Sequence, residues 1–311
     1  MRWNKTAEHT GHQGPVYALA AGRGATDLLS GSGDGRVVRW DLGTPDRGEV
    51  LVNVGQAVFA LCTLGDHLLA VGTEGGGLHV VDLTQGRETH LFDVHRKGIF
   101  AMVPLPGRRF ACAAGDGTLS IWGWHDDVHL IRHIPLVEEK LRGLALSPDG
   151  RELAVACGDG SVRVLETVYF NETHTIAAHP PKPAPDAPAS TTGATAVAYH
   201  PMKPVLLSGG KDGHLRAWRT DQGYAPLLGL PAHKAGIYRI ALHPEACFLA
   251  SASRDKTAKL WDSATLDPIA RLDRGEGGHT HSVNDVRWLG DTLLTASDDR
   301  RILAWRPARP E

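Results

Sequence analysis

Five stretches of this chain are copies of one another: LLSGSGDGRVVRWD (28–41), FACAAGDGTLSIWG (110–123), LLSGGKDGHLRAWR (206–219), LASASRDKTAKLWD (249–262) and LLTASDDRRILAWR (293–306). Each reads as a buried strand, a tight turn carrying Asp, and a second strand ending on Trp. Two weaker copies fill the gaps, LAVGTEGGGLHVVD (69–82) and LAVACGDGSVRVLE (153–166). The anchors are Trp40, Val81, Trp122, Leu165, Trp218, Trp261 and Trp305, spaced by 41, 41, 43, 53, 43 and 44 residues. Self-similarity at that period predicts a propeller with one four-stranded blade per repeat.

The repeats constrain the fold more than length does. At 311 residues the chain could hold two ordinary domains. Seven copies of a unit of ~43 residues account for nearly all of it, so residues 1–311 are expected to form one all-β domain. Each repeat opens with a short apolar strand: PVYALA (15–20), AVFALC (57–62), GIFAMV (98–103), LRGLAL (141–146), ATAVAY (194–199), GIYRIA (236–241) and SVNDVR (282–287). The last repeat ends one strand short. Residues around Trp3–Glu8, which precede the first repeat, are expected to supply that strand and close the ring, leaving only short edges at the rims. Clipping the first ten residues should then loosen the whole assembly.

Composition excludes more than it assigns. A net charge of −2 and no basic stripe at repeat-aligned positions argue against a nucleic-acid or anionic-membrane surface. No stretch approaches the ~20 apolar residues that span a bilayer, and the N-terminus has no secretory apolar run. The four cysteines fall in four different repeats without a Cys-x-x-Cys pair, which suits reduced, buried thiols and a cytoplasmic location. No Gly-rich phosphate loop opens a helix, and no cofactor is expected. His125, Asp126, Asp127, His129 and His133 are ligand-type residues. On an alternating outer strand His129 and His133 share a face that both Asp126 and Asp127 cannot join, so a solvated edge is expected there and no metal.

The repeat resembles the WD-repeat β-propeller family along essentially the whole chain. Family blades carry Gly-His before the first strand, Asp in the second hairpin turn and Trp-Asp closing the third strand. Here Gly11-His12, Asp34 and Trp40-Asp41 match, as do His95, Asp116 and Trp122; His179, Asp212 and Trp218; His233, Asp255 and Trp261-Asp262; and Gly278-His279, Asp299 and Trp305. In each set the Asp precedes the Trp by six residues. The resemblance implies a buried relay in which the indole N–H, a hydroxyl, the imidazole and the carboxylate link three strands and a turn. The matching hydroxyls are Ser30, Ser208, Ser251 and Thr295. These His-Ser-Asp sets are not hydrolase triads, because the same set recurs around the ring with Trp as a member. Blade two lacks His, Asp and Trp, and blade four keeps only Asp159, so these two are expected to be the softest.

The resemblance also implies a function. Propellers of this family mostly bind other proteins, often on the narrow face around the central channel. In well-known members the residue five after the blade His lines the channel mouth. Here that is Tyr17, Phe100, Tyr238 and Asn284, and aligning the other first strands adds Phe59, Arg142 and Thr195. Four of the eleven Tyr and Phe occupy this position. Such an aromatic wall suits a partner's Arg, Lys or flat ring. The residue before each turn Asp gives a second set: Gly33, Gly115 and Gly158 are expected to leave one side flat and open. Glu74, Lys211, Arg254 and Asp298 are charged, and the last three bracket an acidic or mixed-charge peptide. The expectation is a non-catalytic scaffold for a protein or peptide; the competing reading is a small-ligand sensor or enzyme using the channel as a pocket. An adaptor role for ubiquitin ligases, which in relatives uses an Arg two places after Trp-Asp, is not supported by Leu42-Gly43 or Ser263-Ala264. The Pro-rich insertion at 180–193, with five prolines in nine residues, reads as a stiff, solvated loop.

Overall fold

In the computed structural model the described residues are 2–44, 47–125, 127–180, 192–245 and 248–308. Most of the insertion, along with Asp126 and Cys247, lies outside them. Among the described residues, 28 strands form seven four-stranded antiparallel sheets, the blades of a seven-bladed β-propeller. The only helical turns among them are short 3-10 segments, Thr220–Gln222 and Arg274–Glu276. Strands one to four of blades one to six follow chain order. Blade seven runs Val283–Leu289, Thr292–Ser297 and Ile302–Pro307, and its outer strand is the N-terminal Trp3–His9. Beginning and end of the chain therefore meet in one blade, as the missing strand required. Its register pairs Trp3 with Pro307 and His9 with Ile302.

The chain divides into two compact units, residues 1–74, 78–92 and 241–311, and residues 75–77 and 93–240. In the first unit the opening strand of blade one, Val16–Ala21, packs on those of blade two, Val58–Leu64, and blade seven. A core of Val16, Leu19, Leu28, Val38, Trp40, Leu294, Ile302 and neighbours fills the space between blades seven and one. A second core seats Trp3 and Trp288 among Leu260, Leu272, Leu293 and Trp305. In the second unit the opening strand of blade four, Leu141–Leu146, packs on those of blades three and five, Ile99–Leu105 and Ala194–Tyr199. There the cores run from Ala101 and Ile121 to Leu165 and Phe170, and from Ala154 and Val164 to Leu206 and Trp218.

One departure from simple alternation matters for the site. In six blades the register of the first strand slips at its second residue: Val16 pairs with Ser32 and Ala18 with Gly31, leaving Tyr17 without a ladder partner. The same slip falls at Phe59, Phe100, Arg142, Thr195 and Asn284. A bulge of this kind re-aims one side chain while its neighbours stay buried. Residues flanking the bulge, such as Val16, Ala18, Ile99 and Ala101, are indeed buried.

A second slip corrects the reading of the outer strand of blade three. His133 pairs with Ser120 but His129 with Gly123, because the ladder skips Ile131. The two histidines therefore face opposite ways. His133 packs against His95, with ring centroids 5.5 Å apart.

Candidate functional site

Within the blades, the His, hydroxyl and Trp side chains come together. In blade one, Ser30 Oγ accepts from Trp40 Nε1 at 2.8 Å and lies 2.8 Å from His12 Nε2, while His12 Nδ1 lies 3.0 Å from Asp34 Oδ2. Blade five repeats this with Trp218, Ser208, His179 and Asp212 at 3.0, 3.0 and 2.9 Å. Blade seven does so with Trp305, Thr295, His279 and Asp299 at 3.1, 2.8 and 3.0 Å. In blade six Trp261 donates to Ser251 at 2.9 Å, Asp255 accepts from the Thr257 hydroxyl at 2.6 Å, and His233 is buried.

Burial pushes the imidazoles of His12, His95 and His179 below their usual range, against the pull of the paired carboxylates. Burial acts the opposite way on Asp34, Asp116, Asp212 and Asp299. It is outweighed by imidazole and backbone N–H partners at Asp34, Thr118 and backbone N–H groups at Asp116, and imidazole and guanidinium donors at Asp212 and Asp299, so all four lie below the usual carboxylate range. The guanidiniums of Arg216 and Arg301, which the repeat pattern did not flag, bind Asp212 and Asp299 at 2.8 Å each.

Blade three solves the same problem differently. Cys112 stands where blades one, five, six and seven carry the hydroxyl, and Ser120 supplies it instead, accepting from Trp122 Nε1 at 2.8 Å and lying 2.8 Å from His95 Nε2. His95 Nδ1 meets Thr118 Oγ1 at 2.9 Å, and Asp116 stands off at 3.5 Å.

The seven residues at this position of the first strands, six of them at a bulge, divide between the two units. In the first, the Tyr17 and Phe59 rings meet edge to face with centroids 5.1 Å apart. Burial raises the Tyr17 phenol, helped by the nearby Asp298 and Glu74 carboxylates. Asn284 spends its amide N–H groups on Val16 O at 2.9 Å and Asp298 Oδ1 at 2.8 Å. Arg254 is exposed.

In the second unit, Arg142 lies over the Phe100 ring with its Cζ 4.1 Å from the centroid, and Lys140 Nζ lies 5.8 Å from the same centroid. Burial pulls the Arg142 guanidinium below its usual range. It does the same to the Lys211 ammonium, where the charges of Arg142 and Lys140 add to the effect. Tyr238 is close enough to act electrostatically on Arg142. Lys140 was missed because it sits two residues before the bulge position, where the repeat alignment assigned no role.

Two expectations need correction. Thr195 is buried and gives its hydroxyl to the carbonyls of Gly209 and Ile237, so it presents nothing to a partner. The glycines before the turn Asp do not leave open ground. A Cβ on Gly115 would come 2.8 Å from Phe100 Cε2, and one on Gly33 3.3 Å from Tyr17 Cε2. A Cβ on Gly158 would come 2.9 Å from that of Glu139. Their missing side chains are room already taken by the aromatic rings and the neighbouring chain.

No group of three or more potential metal ligands converges among the described residues, and no helix there is long and apolar enough to cross a membrane.

Repeated four-stranded blades, most of them tied by an indole–hydroxyl–imidazole chain, define a β-propeller of the WD type. The family model for the WD domain, G-beta repeat, matches residues 3–41, 86–123, 131–165, 186–219, 225–262 and 269–306, and the chain belongs to that family. The gap at 42–85 holds most of blade two, which lacks the motif residues. Among curated proteins the chain is similar to Actin-interacting protein 1 of Drosophila melanogaster, at 25% identity over 60% of this chain and 37% of that one. It is also similar to Nuclear distribution protein PAC1 of Candida albicans, at 31% over 36% of this chain and 23% of that one. A third relative is Polycomb group protein FIE1 of Oryza sativa subsp. japonica, at 24% over 52% and 47%. The chain thus spans less than half the length of each of these relatives.

Proposed function

We propose that this chain is a non-catalytic scaffold that binds a protein or peptide through the bulge-position residues of its inner strands. The observation that carries the reading is the repeated bulge, which turns Tyr17, Phe59, Phe100 and Arg142 out of the ladder while the flanking side chains remain core. Half-buried aromatic and Arg side chains on rigid strands are the residue types that anchor protein interfaces. Membership of the WD family supports the same class, as does the name of the Drosophila relative, which marks that protein as one that interacts with another. Rigid presentation with little backbone change is the mechanism. The cysteine usage fits a cytoplasmic setting, and a net charge of −2 favours a protein ligand over nucleic acid or an anionic membrane.

The test is affinity capture with wild type beside two folded variants, Tyr17→Ala/Phe59→Ala and Phe100→Ala/Tyr238→Ala. A partner retained by wild type and lost by either variant supports the reading. A partner held equally by all three moves the site to the blade edges or the Pro-rich insertion.

A further inference from the structure

We propose that Lys140, Arg142 and Lys211 form, on the platform of Phe100, an anion site that takes the carboxylate side chains of an acidic peptide segment. This deepens the scaffold reading and rests on it.

The geometry starts with Phe100. Its ring carries two cations, the Arg142 guanidinium at 4.1 Å and the Lys140 ammonium at 5.8 Å. The platform is therefore occupied by the chain's own Arg. It cannot also hold a partner's Arg or Lys, which reverses the charge of the partner that the aromatic wall suggested. Stacking covers a face of the guanidinium and leaves its edge N–H groups to find acceptors. Among the described residues, Arg142, Lys140 and Lys211 have no hydrogen bond or ion pair to a carboxylate. Other cations of the chain do: Arg39 binds Asp27, Arg163 binds Glu172, and Arg301 binds Asp299, each at 2.8 Å.

Lys211 feels the other two charges, Arg142 and Lys140, and its Cε lies 3.3 Å from where a Cβ on Gly193 would stand. Partly desolvated like charges held together without a counter-ion disfavour their own charged forms. A carboxylate entering the site removes that penalty and supplies a planar acceptor pair for the guanidinium edge. The overall charge of −2 means that this preference is local, not a general attraction for anions.

Fluorescence anisotropy with a dye-labelled peptide of alternating Glu and Gly tests the site, beside its Gln isostere and a phosphoserine-containing neutral peptide. Saturable binding of the Glu peptide, weakened by salt and absent for the Gln isostere, is expected. Arg142→Met and the more conservative Lys211→Met should each weaken it about tenfold, the scale of one charge-assisted contact. Arg87→Ala, on an outer strand of blade two, should leave it unchanged. Circular dichroism and Tm establish folding, and Lys211→Met decides the matter if Arg142→Met does not fold. Equal binding of Glu and Gln peptides, unchanged affinity in both Met variants, or binding of the phosphoserine peptide alone would overturn the assignment. Loss of the acidic-peptide result with retained dependence of partner capture on Phe100 and Tyr238 would leave the scaffold reading standing.

Discussion

The Trp122 indole donates to Ser120, two residues earlier on its own strand, whereas Trp40 donates to Ser30 on the strand beside it, both at 2.8 Å. The third blade thus keeps the linkage after losing the usual hydroxyl to Cys112. Ser120 is fully buried, so its oxygen is the partner that makes both the indole N–H and the His95 ring tolerable in the core. Ser120→Ala should cost ~1–3 kcal/mol, the scale of stranding buried polar partners. Adding Cys112→Ser should recover part of that loss by returning the hydroxyl to its usual strand. Urea denaturation of wild type, single and double variants measures it. A double variant no more stable than Ser120→Ala would show that the two positions are not interchangeable.

The N-terminal strand gives the second prediction. Trp3 is buried, with its ring edge-on to Phe248 at 5.6 Å and to Trp288 at 5.8 Å. Glu8 on the same strand binds Arg301 at 3.1 Å. Trp3→Ala should cost ~3–5 kcal/mol, as removal of a buried aromatic ring does. Deleting residues 2–9 should cost more, because it also uncovers the backbone of the Ile302–Pro307 strand. Thermal unfolding by calorimetry checks both, and a Trp3→Ala variant within 1 °C of wild type would refute the anchoring role.

Acid should destabilise the protein in two stages. The folded-state values of His12, His95 and His179 lie below the ordinary 6.5, so a proton binds the unfolded chain more tightly. Their contribution is complete above that value and is lost as pH falls through the lower folded values. Asp34, Asp116, Asp212 and Asp299 lie below the ordinary 3.8, so theirs is complete above 3.8 and lost beneath it. Tm should therefore be level from pH 8 to 7, decline below about 6.5, and decline again below about 4. A Tm that rises between pH 7 and 5 would contradict the sign.

Buried thiols should be inert until the chain opens. Burial pushes both Cys62 and Cys157 up to about 12. Only the thiolate is a competent nucleophile. In the folded protein at pH 8, alkylation at these two positions, mapped by mass spectrometry, should proceed at the rate of unfolding. In guanidinium chloride all four cysteines should react at once. Rapid native labelling of Cys62 or Cys157 would mean that the barrier around it opens locally.

The repeat made the architecture legible because it is written several times over. Period, turn Asp and Trp anchor fixed the strands, and the missing last strand pointed to Trp3–Glu8. The site was only partly legible. The family resemblance singled out one residue of each first strand, but not why its backbone stands apart. The reason is a bulge, and a bulge is a relation between two strands that neither sequence carries alone. The stacking of Arg142 on Phe100 joins two blades, so a repeat-by-repeat reading kept its halves apart. Ser120 was hidden for a related reason: it takes over the role from a different column of the alignment. Thr195 looked available because its position matched, while its hydroxyl is spent on backbone carbonyls of its own and the next blade.

Blades without the linkage should breathe more easily. Blade two has no Trp, and its buried His79 meets the Glu88 carboxylate of the outer strand at 2.8 Å instead of a hydroxyl. Its central strands rely on Leu69, Val71, Leu78, Val80 and Val81, all fully buried. Apolar packing is nondirectional, whereas the blade-one chain from Trp40 through Ser30 and His12 to Asp34 fixes two strands and a turn at once. If that chain contributes ~1–3 kcal/mol, local opening of blade two should be more frequent by roughly tenfold or more. Hydrogen exchange read by mass spectrometry should then show peptides spanning 68–82 losing protection before those spanning 27–41. His12→Phe should narrow the gap by loosening blade one, and equal protection of the two blades in wild type would remove the linkage as the source of rigidity.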